Sequence, residues 1–184
     1  MPGFPKNICV YCGASPGLSP QYAQAAEKIG KSIARAGFGL VYGGGNLGLM
    51  GIAADAALAA GGKVIGVIPH GLADREQAHL GLTELIRVES LHERKAVMEK
   101  RAHAFLALPG GLGTLDELFE ILTWSQLGLH KKPVGLLNLD GYYDSLLSFL
   151  AHASKEGFLR GETESFLHVE KDPERILAWL GQKI

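Results

Sequence analysis

The stretch at 39–68, GLVYGGGNLGLMGIAADAALAAGGKVIGVI, decides the fold class. An apolar run at 39–42 breaks on Gly43, Gly44 and Gly45, an alanine-rich stretch of helical length follows at 47–60, and a second apolar run at 63–68 begins after two more glycines. Short apolar runs flanking a longer helical one are the pattern of a βαβ unit, whose parallel strands are buried on both faces. Outward from it the alternation continues. Apolar runs stand at 8–11, 85–88, 104–108 and 134–137, with an edge strand at 166–169, and helical stretches at 20–35, 92–101, 114–127, 142–156 and 173–181. The expectation is a doubly wound α/β sandwich on a parallel sheet, one domain over residues 1–184.

Composition narrows the function classes. The 184 residues are 47% hydrophobic and carry 18 basic against 19 acidic side chains, a formal charge of −1, which argues against an electrostatic nucleic-acid binder. No run approaches the ~18 apolar residues of a membrane span, and the opening MPGFPKN lacks the pattern of a secretory signal, so a cytoplasmic protein without membrane partners is expected. Cys9 and Cys12 have C-x-x-C spacing with no second pair and no nearby histidine; buried or half-buried free thiols are the reading, because zinc needs about four ligands. Ser19 before Pro20 reads as a helix N-cap, and Gly37 as the close of the same helix. The irregular segment 69–83, with Asp74, Arg75, Glu76 and His79, lies beyond a strand's carboxyl end; it reads as a substrate-contacting lid or as an inert surface loop.

Glycine is the informative residue, 25 of 184, concentrated in two runs. The first, VYGGGNLGLMG at 41–51, stands where a strand hands over to a helix. Adjacent glycines there let backbone approach a ligand, and a helix start offers free N–H groups to an anion. Gly43, Gly45 and Gly48 also satisfy G-x-G-x-x-G, but the run follows the second strand and the next strand ends without a ribose-binding carboxylate, so a dinucleotide cofactor is not expected. A nucleoside triphosphatase loop fails as well, since Leu49 and Met50 follow Gly48 in place of Lys and Ser or Thr.

The second run, LPGGLGTLDE at 108–117, turns on Pro109, Gly110, Gly111 and Gly113 into a helix beginning near Thr114. Loop amides with the Thr114 hydroxyl suit a monophosphate. Glu117 has two readings: the fourth member of a Thr114–Glu117 capping box, or a carboxylate placed for chemistry. A third constellation, SLHERKAVMEKR at 90–101, opens with a Ser90–Glu93 capping box and puts Arg94 and Lys95 in the first turns of a helix, where cations are disfavoured unless an anion is near or the face is solvated. The histidines at 92, 103, 130, 152 and 168 have no metal spacing.

Together, YCGAS at 11–15, GGGNLGLMG at 43–51, HERK at 92–95 and PGGLGTLDE at 109–117 resemble the LOG family of cytokinin riboside 5′-monophosphate phosphoribohydrolases, often labelled possible lysine decarboxylases. The likeness runs from about Asn7 to near the chain end and includes KPVGLLNLDGYYDSLL at 132–147. It implies a Rossmann-like homodimer that hydrolyses the N-glycosidic bond of an adenine-type nucleoside 5′-monophosphate, plain or N6-substituted, to free base and ribose 5-phosphate. Position by position it implies Arg94 and Glu117 as the catalytic pair and Gly110, Gly111, Gly113 and Thr114 as the phosphate loop. Gly13, Ser15, Gly43, Gly44, Gly45, Met50, Glu76, Lys95, Pro109, Asp116 and Thr123 are the further substrate contacts expected. Asp116 stands where many members have glutamate, and Ala14 where plant members usually have serine. Positive charge builds on the sugar as the base leaves, so Glu117 would stabilise it and orient the water, while Arg94 would hold the base or phosphate. Neither metal nor redox cofactor is implied. A decarboxylase would need a Schiff-base lysine, for which no lysine has a recognisable context. The rival reading is a nucleotide or molybdenum-cofactor carrier on the same scaffold, which would keep the phosphate loop and would not need Arg94 and Glu117 together.

Overall fold

The computed structural model describes residues 6–73, 77–159 and 165–184. In chain order the elements are β1 (Asn7–Tyr11), α1 (Pro20–Arg35), β2 (Gly39–Tyr42), α2 (Gly48–Ala59), β3 (Val64–Pro69), β4 (Glu84–Val88), α3 (Leu91–Arg101), β5 (Ala104–Ala107), α4 (Leu112–Gln126), β6 (Val134–Leu137), α5 (Asp144–Lys155), β7 (His168–Glu170) and α6 (Pro173–Lys183). The seven strands form one sheet in the order β4-β3-β2-β1-β5-β6-β7, every pairing parallel. The doubly wound α/β expectation holds. None of the described helices is long and apolar enough to cross a membrane.

Alternation along β1 builds both halves of the core. Ile8, Val10 and Cys12 face a layer containing Ile29 and Ile33 of α1, Ala53 of α2 and Leu177 of α6, while Cys9 and Tyr11 face Met98 of α3, Leu118 of α4 and Leu150 of α5. Successive strand residues point to opposite faces, so the C-x-x-C pair is split between the layers and both thiols are free and buried. Helix ends follow local chemistry. Ser19 caps α1 by accepting from Gln21 N–H, and the helix closes in a Schellman motif, Gly37 N–H donating to Ala34 and Phe38 N–H to Ile33, with Gly37 at φ 79°.

Several boundaries shift by one or two residues, among them these two. The helix expected from residue 142 begins at Asp144, because Asp140 and Gly141 take left-handed backbone and Tyr143 N–H donates to the Asn138 side chain instead of entering a helical ladder. The edge strand starts at His168 rather than 166.

Strand order reverses beside β1: the chain runs outward from β1 to β4, then returns to place β5 on β1's other edge. The turns leaving β1 and β5 therefore diverge and open a crevice above the strands' carboxyl ends, the usual ligand position in open α/β sheets.

Candidate active site

A cleft of about 410 Å³ occupies that crevice, within the usual range for small-molecule sites. One wall is the turn after β1, Cys12 to Gly17; the other is the turn after β5, Pro109, Gly110, Gly111 and Gly113, running into Thr114 and Glu117 of α4. The walls are tied together where Gly13 N–H donates to the Pro109 carbonyl at 3.1 Å. Leu49 and Met50 of α2 and Val10 of β1 supply apolar surface, and Tyr22 and Tyr142 stand at the rim.

Arg94 reaches the cleft because of how α3 starts. Ser90 accepts from Glu93 N–H at 3.1 Å and the Glu93 carboxylate accepts from Glu89 N–H at 2.8 Å, a capping box displaced by one residue on its return bond. The guanidinium, on a residue 6% exposed, donates from Nε to the Val67 carbonyl at 3.1 Å and from Nη2 to the Gly43 carbonyl at 2.8 Å. Gly43 is required at that point, since a Cβ there would overlap Nη2 of Arg94. Fixed on two backbone oxygens, the planar cation presents a rigid edge to the cleft it lines.

The N-cap of α4 is Gly111, three residues earlier than the Thr114 cap read from sequence. Thr114 is thus inside the first turn, buried, and Glu117 lies too deep in the helix to return a bond to the cap. This corrects the capping-box reading: the half-buried Glu117 lines the cleft instead. Burial pushes the Cys12 thiol up, the Glu117 carboxylate adding to it, so this wall residue stays protonated and is no nucleophile.

The remaining expected contacts divide. Gly13, Ser15, Gly43, Met50, Pro109, Gly110, Gly111, Gly113 and Thr114 line the cleft. Gly44 and Gly45 lie behind it: the Gly44 carbonyl accepts from His79 N–H, and Gly45 bridges Ala78. Glu76 lies outside the described residues, as do Asp74 and Arg75 of the expected lid. Lys95, Asp116 and Thr123 fall on an outer flank. Lys95 Nζ sits 3.1 Å from Asp116 and 2.8 Å from Glu120, and the exposed Thr123 donates its hydroxyl to the Phe119 carbonyl. Neighbouring residues on a helix diverge by about 100°, so Lys95 cannot share Arg94's direction, nor Asp116 that of Glu117. Burial works against the Lys95 charge, but its bonds to Glu120 and Asp116 outweigh this and hold its pKa above the ordinary value. Among the described residues no lysine lines the cleft, and Lys95 is engaged by two carboxylates outside it. No group of three metal-ligating side chains occurs among them either.

Sequence reasoning gave no role to Tyr22 or Tyr142. Tyr142 lay in a quoted stretch, GYYDSLL, without a glycine run to mark it; for Tyr22, one residue of an amphipathic helix, no signal existed.

A family model described as "Possible lysine decarboxylase" matches residues 50–180. The cytokinin riboside 5′-monophosphate phosphoribohydrolase of Rhodococcoides fascians is 53% identical over 175 residues, 95% of this chain and 88% of that protein. The enzyme of that name called LOG, from Oryza sativa subsp. japonica, is 53% identical over 154 residues, 84% of this chain, and the chain spans 64% of its length. A molybdenum-cofactor (Moco) carrier protein of Chlamydomonas rheinhardtii superposes with a TM-score of 0.75 over 98% of both chains at 24% identity, a likeness of fold alone. The four motifs, the cleft they build and these matches lead to one conclusion: the chain belongs to the LOG family of phosphoribohydrolases.

Proposed function

We propose that this protein hydrolyses the N-glycosidic bond of adenine-type nucleoside 5′-monophosphates, releasing free base and ribose 5-phosphate. The observation that carries it is the presence of a buried guanidinium and a helix-borne carboxylate, Arg94 and Glu117, in one cleft with a glycine loop at a helix N-terminus. The loop and first-turn amides, with Thr114, hold the 5′-phosphate. As the C1′–N bond lengthens, the Glu117 carboxylate faces the growing positive charge and takes a proton from the attacking water, whose oxygen bonds to C1′. Arg94 donates to the departing base or to the phosphate, and the base leaves with the bonding electrons and takes up one proton from solvent, balancing the one Glu117 removed from the attacking water. Relatives of this name at about half identity support the reading over that of a carrier, whose cargo would make no demand on Glu117.

Glu117→Gln tests it. Free base followed by chromatography from AMP and from isopentenyladenosine monophosphate should show kcat lower by about 10²–10⁴-fold at an unchanged melting temperature. Near-normal turnover by the folded variant would remove Glu117 from the chemistry.

We further propose a homodimer, in keeping with the resemblance and with the exposed Leu112, Leu127 and Leu129 at and beyond the ends of α4. Light scattering at micromolar concentration should give twice the chain mass; a fully active monomer would refute it.

A further inference from the structure

The loop after β5 carries three carbonyls in succession, and each is held by a donor from another segment. Tyr143 Oη donates to the Leu108 carbonyl at 2.7 Å, Gly13 N–H to that of Pro109 at 3.1 Å, and Tyr142 Oη to that of Gly110 at 2.7 Å. In a trans peptide the C=O and the following N–H point in opposite directions, so pinning one aims the other. An anion cradle built on backbone amides needs this, because a carbonyl swung into it would set one negative group against another. The peptide most in need is Gly110–Gly111. It joins two glycines, neither of which has a Cβ to restrict its backbone, and although Thr114 packs against Gly110, a Cβ at Gly111 would meet no heavy atom within 4 Å, so packing does not hold the Gly111 end.

Tyr142 is itself placed by a built turn. Asn138, 2% exposed, accepts from Tyr143 N–H at 2.8 Å and donates to Asp144 at 2.7 Å, while Asp140 and Gly141, at φ 50° and 76°, reverse the chain between them. The Tyr142 ring packs edge-on to Tyr22 at 5.6 Å and to Tyr143 at 4.8 Å. Of the tyrosine pair, Tyr143 is buried in the core, and Tyr142 stands half in solvent at the rim of the cleft.

We propose that Tyr142 is a positioning residue of the nucleotide site: its hydroxyl locks the Gly110–Gly111 peptide so that the Gly111 N–H is presented to the substrate's 5′-phosphate. The inference rests on the hydrolase reading for the identity of the substrate. It assigns Tyr142 to phosphate affinity and leaves the reacting atoms to Arg94 and Glu117.

Tyr142→Phe removes the hydroxyl and keeps the ring and its packing. KM for AMP or isopentenyladenosine monophosphate should rise about tenfold, the scale of one hydrogen bond. The kcat should stay within about twofold, as when binding common to ground and transition states is lost. The ratio of kcat/KM on the nucleotide to that on the nucleoside lacking the phosphate should fall by the same factor, with the melting temperature unchanged. An unaltered KM, or an equal loss on nucleotide and nucleoside, overturns the proposal. Calorimetric titration with ribose 5-phosphate reads the same contact without turnover. Binding about tenfold weaker in the variant is expected; equal binding, or none to the wild type, overturns it. A wild type that binds ribose 5-phosphate tighter than the variant, yet releases no base, defeats the hydrolase reading and leaves Tyr142 as assigned.

Discussion

In the run at 43–51 a methyl group added to a glycine collides with the protein itself: at Gly43 with the Arg94 guanidinium, at Gly48 with the backbone of Ala14 and Ser15, at Gly51 with the Asn46 carbonyl oxygen. In the run at 110–113 the same addition at Gly111 or Gly113 meets open space, and only Gly110 is filled, by the Thr114 hydroxyl. Two glycine-rich stretches, each between a strand and a helix, thus use glycine for different ends. The first lets the protein's own groups come close, above all Arg94. The second bares backbone to the cleft. A glycine run marks a close approach, and only the packed chain says what approaches.

The largest expected effect that would break this contrast is at Gly43. In Gly43→Ala the guanidinium must leave its place between the Gly43 and Val67 carbonyls; with Arg94 in the role proposed for it, displacement by about an ångström costs on the order of 100-fold. Steady-state kinetics on AMP should show at least that loss in kcat/KM; normal rates would mean that Arg94 need not sit where it does. Next comes Gly51→Ala, where the obstacle is backbone that cannot give. Overpacking of this kind costs about 1–3 kcal/mol, so thermal denaturation should show a lower midpoint while the folded fraction keeps its kcat. The smallest is Gly113→Ala, in the first turn of α4 with nothing to strike. Exchanging glycine for alanine in a helix gains up to about 1 kcal/mol, and chemical denaturation should find the variant as stable as the wild type or slightly more so. Destabilisation there would show the space to be filled and erase the contrast between the runs.

Much of the fold was legible because its signals are local. The bounds of α1 and β2 coincide with those read from periodicity, Ser19–Pro20 and Gly37 mark the ends of one helix, and Ser90 starts another. The site was legible in part. The motifs named Arg94, Glu117 and the second glycine loop, and all three meet in the cleft. Glu117 had two readings because a Thr-x-x-Glu stretch fits a cap and a catalytic position equally well; the start of α4 at Leu112 removed the first of them. Lys95 and Asp116 adjoin catalytic candidates in the chain but pair with each other on another face of their helices.

Alternation of apolar residues, capping side chains and glycine turns act over a few positions, and so the order of amino acids by itself determined the elements and the α/β class. Which strands are neighbours depends on pairing between segments far apart in the chain, such as β1 with β5. Together such pairings bring residues 13, 43, 94, 110, 117 and 142 around one cleft. Side-chain direction was likewise decided by tertiary structure, because a helix turns adjacent residues about 100° apart and only the packing of its buried face chooses which of them looks inward.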